Sequence, residues 1–88
     1  MSYFEMMVAD HESIIETMLS NMHADLDAGY DPNGKSITMQ KHEIAEYIRA
    51  YNAKMDYLKL LTVEKGEKAV ERWCRIDLIK RGAILPTD

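Results

Sequence analysis

The stretch DAGYDPNGKS, residues 27–36, decides how the chain folds, because it separates two long segments with helical periodicity. Gly29 suits the left-handed residue that commonly ends a helix. The segment 31–34 reads Asp-Pro-Asn-Gly, with Asp at the first position, Pro at the second and Gly at the fourth, which is typical of a type I turn. The stretch therefore predicts a turn over 28–36 that joins two antiparallel helices.

The same stretch carries oxygen-bearing side chains at alternate positions, as an EF-hand calcium loop does. Such a loop needs Gly at position 6 and a bidentate Glu at position 12. With Asp31 at position 1, Lys35 stands at ligand position 5 and His42 at position 12. With Gly29 at position 1, the first ligand is missing and Gln40 stands at position 12. Both registers lack the Glu, so we interpret the stretch as a turn and expect no cofactor.

The two segments joined by this turn have different apolar patterns. The first, about 2–27, repeats apolar residues at three- and four-residue steps on one helical face, together with His11, which we expect to be hydrogen-bonded in a core or interface. The second helix, about 38–61 with Ser36 or Thr38 as its cap, carries apolar residues on two sides. We therefore expect it to be sandwiched as the central helix. Its second stripe consists of Ala50, Ala53, Tyr57 and Leu60.

A third helix is predicted over about 63–81, with Thr62 as its cap and Gly82 as its stop. Gly66 would cost about 1 kcal/mol inside a helix, so we expect a break at 62–66. The predicted apolar face consists of Ala69, Val70, Trp73 and Ile76. Residues 1–88 are thus predicted to form a single all-α domain of three helices built on a long antiparallel helical hairpin, with a short tail at 82–88. Because 88 residues are marginal alone, we expect a homodimer, as a dimeric helical bundle.

Charge divides the chain at the turn. Residues 1–34 contain seven acids and no Lys or Arg, a net charge of −7. Residues 35–88 contain eleven Lys and Arg residues against eight Asp and Glu residues, a net charge of +3. This asymmetry bears on association rather than on fold. The two halves can attract one another within the fold or across a dimer, or the acidic half can meet a basic partner and the basic half phosphate.

Reactive and metal-binding residues are few. Cys74 lies between Arg72 and Arg75, which would lower the pKa of its thiol, but its mid-helix position favours a packed, inert thiol. His23 and His42 should face each other across the hairpin, with Glu46 one turn beyond, and so make a metal site a minor candidate. The metal-binding motifs His-Glu-x-x-His and paired Glu-x-x-His are absent from the sequence, as are nucleotide-binding loops. We therefore expect no catalysis.

A protein-interaction, adaptor or inhibitor module is the function that this sequence favours. Five of the seven methionines lie in the acidic first segment, and methionine is over-used on adaptable binding surfaces. The predicted partner-binding residues are Tyr3, Phe4, Met7, Glu12, Glu16 and Asp25. The alternative is a weak nucleic-acid-binding regulator using the partial basic stripe of the last helix, although interleaved acids would weaken its attraction to phosphate. That stripe consists of Lys65, Lys68, Arg72 and Arg75.

The expected compartment is the cytoplasm. A single cysteine allows no intramolecular disulfide, and the N-terminus has neither the basic start nor the apolar run of a signal peptide. No apolar run approaches the roughly 20 residues of a membrane span, so we expect no membrane partner.

Overall fold

The computed structural model describes residues 2–87, which form three helices: α1 (Tyr3–Asp27), α2 (Lys35–Lys65) and α3 (Glu67–Lys80). Each helix contacts the other two. The predicted all-α fold, built on a long helical hairpin, is therefore confirmed.

The two ends of α1 have the caps that its sequence favours. Ser2 precedes the helix, and its hydroxyl accepts a hydrogen bond from the N–H of Glu5 at 3.0 Å. At the other end Gly29 has φ +99°, and its N–H donates to the carbonyl of Leu26. The next N–H, from Tyr30, donates to the carbonyl five residues back, which completes a Schellman motif. Gly29 is thus the helix stop that the sequence predicted.

The turn before α2 is the predicted type I turn. The N–H of Gly34 donates to the carbonyl of Asp31 at 2.9 Å, and the Asp31 carboxylate accepts from the N–H of Asn33 at 3.0 Å. Gly34 then serves as the N-cap, and α2 begins at once, without a side-chain cap. The prediction of Ser36 or Thr38 as the cap was therefore wrong: the turn brings the chain directly into the helix.

The junction between α2 and α3 is a single glycine. Thr62 does not cap α3 but lies inside α2, where its hydroxyl donates to the carbonyl of Leu58 at 2.8 Å. Gly66 has φ +88° and ψ 175°, a conformation that is essentially restricted to glycine. The break predicted over 62–66 is thus confined to one residue, and α2 and α3 are displaced from their predicted bounds of 38–61 and 63–81.

Helix α3 lies parallel to α1, with its ends fixed by charged side chains. Near its start, the Glu71 carboxylate accepts the N–H groups of Tyr3 and Phe4, each at 2.9 Å. At its end, Arg81 forms a salt bridge with Asp10. Between these contacts lies the main apolar core, made of Met7, Leu58, Val70, Cys74 and Leu78. Because α3 is only 14 residues long, it ends beside residues 10–11 of α1.

Beyond the end of α3 the hairpin continues as two helices. We call residues 14–50 the arm, and residues 2–13 with 51–87 the base. The molecule measures 49 × 27 × 18 Å, and its radius of gyration of 16.2 Å exceeds the value of about 12 Å typical of a compact chain of this length. In the arm only Ile37 and Ile44 are buried, whereas Ile14, Met18 and Met22 are half-buried. The arm therefore lacks the third layer that closes the base.

Two predicted faces differ from those in the structure. Helix α2 is not sandwiched between its neighbours, because its second stripe faces solvent, with Leu60 64% exposed. In α3 the buried face consists of Val70, Cys74 and Leu78, whereas Ile76, placed on the apolar face by the sequence pattern, is 50% exposed. Both differences leave apolar side chains on the outer surface of the base.

Candidate functional site

The arm repeats the surface that α3 covers in the base. Eighteen residues make five complete helical turns, so residues 18 positions apart share one face of a helix. Residues 7 or 11 positions apart lie on nearly the same face. On α1, the face that meets Cys74 through Met7 continues to Ile14, Met18 and Asp25. On α2, the face that meets Asp77 through Lys54 continues to Tyr47 and Glu43. A groove between α1 and α2 therefore runs on from the end of α3.

We call this surface the arm groove. It consists of Ile14, Met18, Asn21, Asp25, Met39, Gln40, Glu43 and Tyr47. Two depressions of about 110 and 460 Å³ lie along it, and both are lined by Gln40 and Glu43. Met39 at its rim is 52% exposed. The groove is thus open, partly apolar and accessible to a partner.

The arm groove is negative overall, because Asp25 and Glu43 outnumber Lys35, which lines the larger depression beside Glu43. Asp25 accepts a hydrogen bond from Gln40 Nε2 at 2.8 Å, and Glu43 is exposed. Within residues 2–87 neither carboxylate forms a salt bridge. Glu46, on the outer edge of the same face, is paired with Arg49. The folded chain therefore leaves these two carboxylates free to meet positive charge on a partner.

The outer face of α3 has the opposite charge. Lys68, Arg72 and Lys80 are exposed on it, and Arg75 donates to the carbonyl of Pro86 at 2.7 Å. Lys65, at the end of α2, is also exposed.

Two acids that interrupt this basic segment in the sequence point into the fold. Glu71 caps α1, and Asp77 forms a salt bridge with Lys54 at 3.0 Å. The other two, Glu64 and Glu67, remain exposed near the start of α3. Fewer acidic side chains therefore accompany the basic stripe on the surface than the sequence pattern indicates.

The predicted partner-binding residues fall into three groups. Met7 is 0% exposed and touches Cys74, so its inclusion in a recognition surface was wrong: the third helix covers it. Tyr3 and Phe4 are half-buried against the same core. Asp25 lies in the arm groove.

Glu12 and Glu16 form the third group. Both are exposed, but they lie on the side of α1 away from α3, five and nine residues from Met7. The structure thus separates them from the arm groove and gives the acidic surface two distinct sides.

A polar cluster centred on His11 connects the three helices at the end of α3. His11 is 3% exposed, and its Nδ1 lies 2.7 Å from the hydroxyl of Tyr47. Lys54 Nζ lies 2.9 Å from Nε2 of the same ring and also donates to Asp77. Arg81 Nη1 lies 3.1 and 3.2 Å from the two ring nitrogens, a position aligned with neither lone pair. The prediction of a buried, hydrogen-bonded histidine is confirmed.

His11 is held in its neutral form. The pKa of His11 is lowered from 6.5 to about 4, mainly by burial and then by the charges of Lys54 and Arg81, against the opposing effects of Asp77 and Asp10. Because Lys54 donates to Nε2, the ring proton resides on Nδ1 and is donated to Tyr47. The cluster therefore fixes the position of α3 rather than presenting a group to solvent.

The remaining candidates for reactivity or metal binding are Cys74 and the set of His23, His42 and Glu46. Cys74 is buried, which confirms the prediction of a packed thiol, and burial raises the pKa of that thiol to about 11. His23 and His42 are both exposed, and in the described part of the chain no three His, Cys, Asp or Glu residues are grouped to hold a metal ion. The low-probability set of His23, His42 and Glu46 is therefore not assembled.

A further cavity of about 470 Å³ lies at the opposite end of the base. It is lined by Phe4, Met55, Leu58 and Val70, with Lys59, Thr62 and Glu67 among its polar residues. Its walls come from all three helices, and Glu71 also lines it.

Sequence reasoning missed Glu43, Gln40 and Met39 as surface residues of interest. The helical period places them on the same face of α2 as Lys54 and Tyr57. That shared face points to a binding surface only when the position of α3 is known.

None of the helices in residues 2–87 is long and apolar enough to cross a membrane. Comparison of the chain with protein-family models, with curated proteins and with solved structures gave no match.

Proposed function

We propose that this protein is a small, non-catalytic protein-interaction module, and that the arm groove is its binding surface. The observation that carries the proposal is the early end of α3, which leaves the helix-binding faces of α1 and α2 bare along the arm. In the base the same faces bind a helix. The arm groove therefore suits an amphipathic helix from a partner protein.

The chemistry of the arm groove specifies that helix further. Met18 and Met39 offer flexible side chains that adapt to different apolar partners. Asp25 and Glu43 favour a partner helix with Lys or Arg on either side of its apolar stripe. Glu12 and Glu16, on the far side of α1, are then not part of the contact. A cytoplasmic location belongs to the same proposal, supported by the single, buried Cys74.

Affinity capture with charge variants tests this function. Immobilised wild-type protein is expected to retain protein partners that the double variant Asp25→Lys/Glu43→Lys loses, because like charges would meet across the groove. The control Glu12→Lys/Glu16→Lys has the same change in net charge on the other side of α1 and should retain them. Equal capture by all three proteins, or loss by the control alone, would contradict the proposal.

Nucleic-acid binding is the second candidate function, and one observation favours it. Glu71 and Asp77 face inward, so Lys68, Arg72 and Lys80 share the outer face of α3 without them. Such a stripe can neutralise phosphates, with an affinity that falls as salt rises. A mobility-shift assay at low salt should show binding that is lost in Lys68→Glu/Arg72→Glu and kept in the charge-matched control Lys41→Glu/Lys59→Glu. If wild-type protein gives no shift, this candidate is removed.

A further inference from the structure

We propose that the arm groove is occupied by α3 of a second copy of this chain, in a reciprocal two-fold dimer in which each copy inserts its α3 into the groove of the other. This inference rests on the proposed function of the arm groove and names its partner. Three features of the described residues support it: the lengths of the two surfaces, their charges and the stepped shape of the molecule.

The lengths of the two surfaces match. Helix α3 has 14 residues and is therefore about 21 Å long. The part of α1 in the arm, residues 14–27, also has 14 residues and the same length. One α3 helix can thus cover the full length of the arm groove.

The charges of the two surfaces are opposite in sign. On the outer face of α3, Arg72, Ile76 and Lys80 follow one another at four-residue steps, so the two cations are about 12 Å apart along the helix, with an exposed isoleucine between them.

The arm groove presents the opposite charge. Asp25 Oδ2 lies 2.8 Å from Gln40 Nε2, so residue 25 of α1 is level with residue 40 of α2. Glu43 is three residues, about 4.5 Å, from Gln40 along α2, in the direction of the base. The two acids therefore form one negative patch in the half of the groove near the tip, which can meet the cations of a docked α3.

The shape of the molecule allows both contacts to form at once. Helix α3 lies on one face of the α1–α2 hairpin and makes a step at the level of residues 11 and 47. A two-fold axis can be placed at this step, perpendicular to the long direction of the hairpin and parallel to its flat face. Rotation by 180° about this axis places the base of each copy against the arm of the other. The two α3 helices then fill both steps in one layer between two hairpins, as an isologous dimer requires.

A dimer through two arms placed face to face is disfavoured by charge. Within the arm, residues 14–50, there are six Asp and Glu residues and three Lys and Arg residues, so each arm carries a net charge of −3. Pairing of two such surfaces would place like charges together, whereas pairing of an arm with α3 places opposite charges together.

Light scattering over a concentration series tests the dimer directly. The wild-type protein is expected to approach twice the chain mass of 10.2 kDa as its concentration rises. The groove variant Asp25→Lys/Glu43→Lys and the helix variant Arg72→Glu/Lys80→Glu should each raise the dissociation constant of the homodimer at least about tenfold, because both contacts then carry like charges.

Mixing the two variants gives the decisive result. In a mixed dimer one contact is wild-type and the other has both charges reversed, so the equimolar mixture should recover the dimer with an affinity near that of the wild type. The charge-matched controls Glu16→Lys/Asp56→Lys and Lys41→Glu/Lys59→Glu should dimerise normally, and circular dichroism would confirm that every variant is folded.

Three results would overturn the inference: a wild-type monomer at all concentrations, a dimer unaffected by either variant, or variants that do not restore each other. The last result would indicate contact between two arms. Failure here is distinct from failure of the proposed function, because a monomer that still captures other proteins through the arm groove would keep that function.

Discussion

The base and the arm are built from the same two helices but differ in what covers them. In the base, α3 buries Met7, Leu58 and Leu78 almost completely. In the arm, Ile14 and Met18 lie 7 and 11 residues beyond Met7 on the same face of α1, and both remain half-buried. The difference shows that one short helix divides a continuous hairpin into a part that stabilises the fold and a part that is available for binding.

The two regions also differ in the use of charge. In the base, the carboxylates of Asp10 and Asp77 face Arg81 and Lys54 across helices. In the arm the one salt bridge among its residues joins Glu46 to Arg49, one turn apart on an exposed surface, and such pairs stabilise little. Charge in the base therefore holds α3 in place, whereas the arm keeps carboxylates available to a partner.

The largest expected effect comes from the core of the base. Leu78→Ala should reduce the free energy of unfolding by about 2–5 kcal/mol, because Leu78 is 1% exposed and leaves a cavity among three helices. Urea unfolding curves measure this loss. The control Leu78→Met conserves volume and should lose less than about 1.5 kcal/mol. A small loss for Leu78→Ala would contradict the assignment of the core to the base.

Low pH should destabilise the base region of the fold, because His11 is buried there in its neutral form. The folded pKa of about 4 lies below the ordinary 6.5, so the unfolded chain takes up the proton first. Stability is therefore fully present above about pH 6.5 and falls as the pH drops towards 4, by at most about 3 kcal/mol. Unfolding curves at several pH values measure this, and His11→Gln should remove that dependence. A wild-type protein equally stable at pH 6.5 and 4.5 would exclude a neutral, buried His11.

The single-residue junction gives a comparable effect. Gly66→Ala should destabilise the protein by about 1–3 kcal/mol, because a residue with a Cβ does not readily adopt φ +88° with ψ 175°. No atom lies within 4 Å of the added Cβ, so the loss comes from the backbone conformation alone. Thermal unfolding measures the change. A neutral substitution would show that the junction has another conformation in solution.

The smallest effect is expected in the arm. Met18→Ala should lower the free energy of unfolding of the monomer by about 1 kcal/mol or less, because the side chain is already half-exposed. The same change should weaken dimerisation selectively, whereas the loss of a core residue from the base would not. If Met18→Ala were as destabilising as Leu78→Ala, the distinction between base and arm would be lost.

Sequence reasoning predicted the hairpin well, because its signals are local. The residues Asp31, Pro32 and Gly34 fix a turn by their own backbone preferences, and Gly29 and Gly82 end helices for the same reason. These preferences do not depend on where the rest of the chain lies, and the all-α architecture follows from them.

The position of α3 depends on contacts between distant residues, which a local pattern does not contain. Two faces of α3 are apolar enough to be buried, one through Ile76 and one through Leu78. The structure selects the second, because Asp77 and Arg81 flank it and pair with Lys54 and Asp10. The arm groove is a consequence of this choice, so Glu43 could not be identified before α3 was placed.

Hydrogen exchange in the arm is the most direct test of the central claim that the arm groove binds α3 of a second copy. Exchange of amides in residues 14–27 and 35–50 is compared between wild-type protein and Asp25→Lys/Glu43→Lys over the same concentration series. We predict that the amides of the arm and of α3 become more protected in the wild type as concentration rises, that those of the variant do not, and that the rest of the base is alike in both. Arm protection that is independent of concentration and identical in the two proteins would contradict the account.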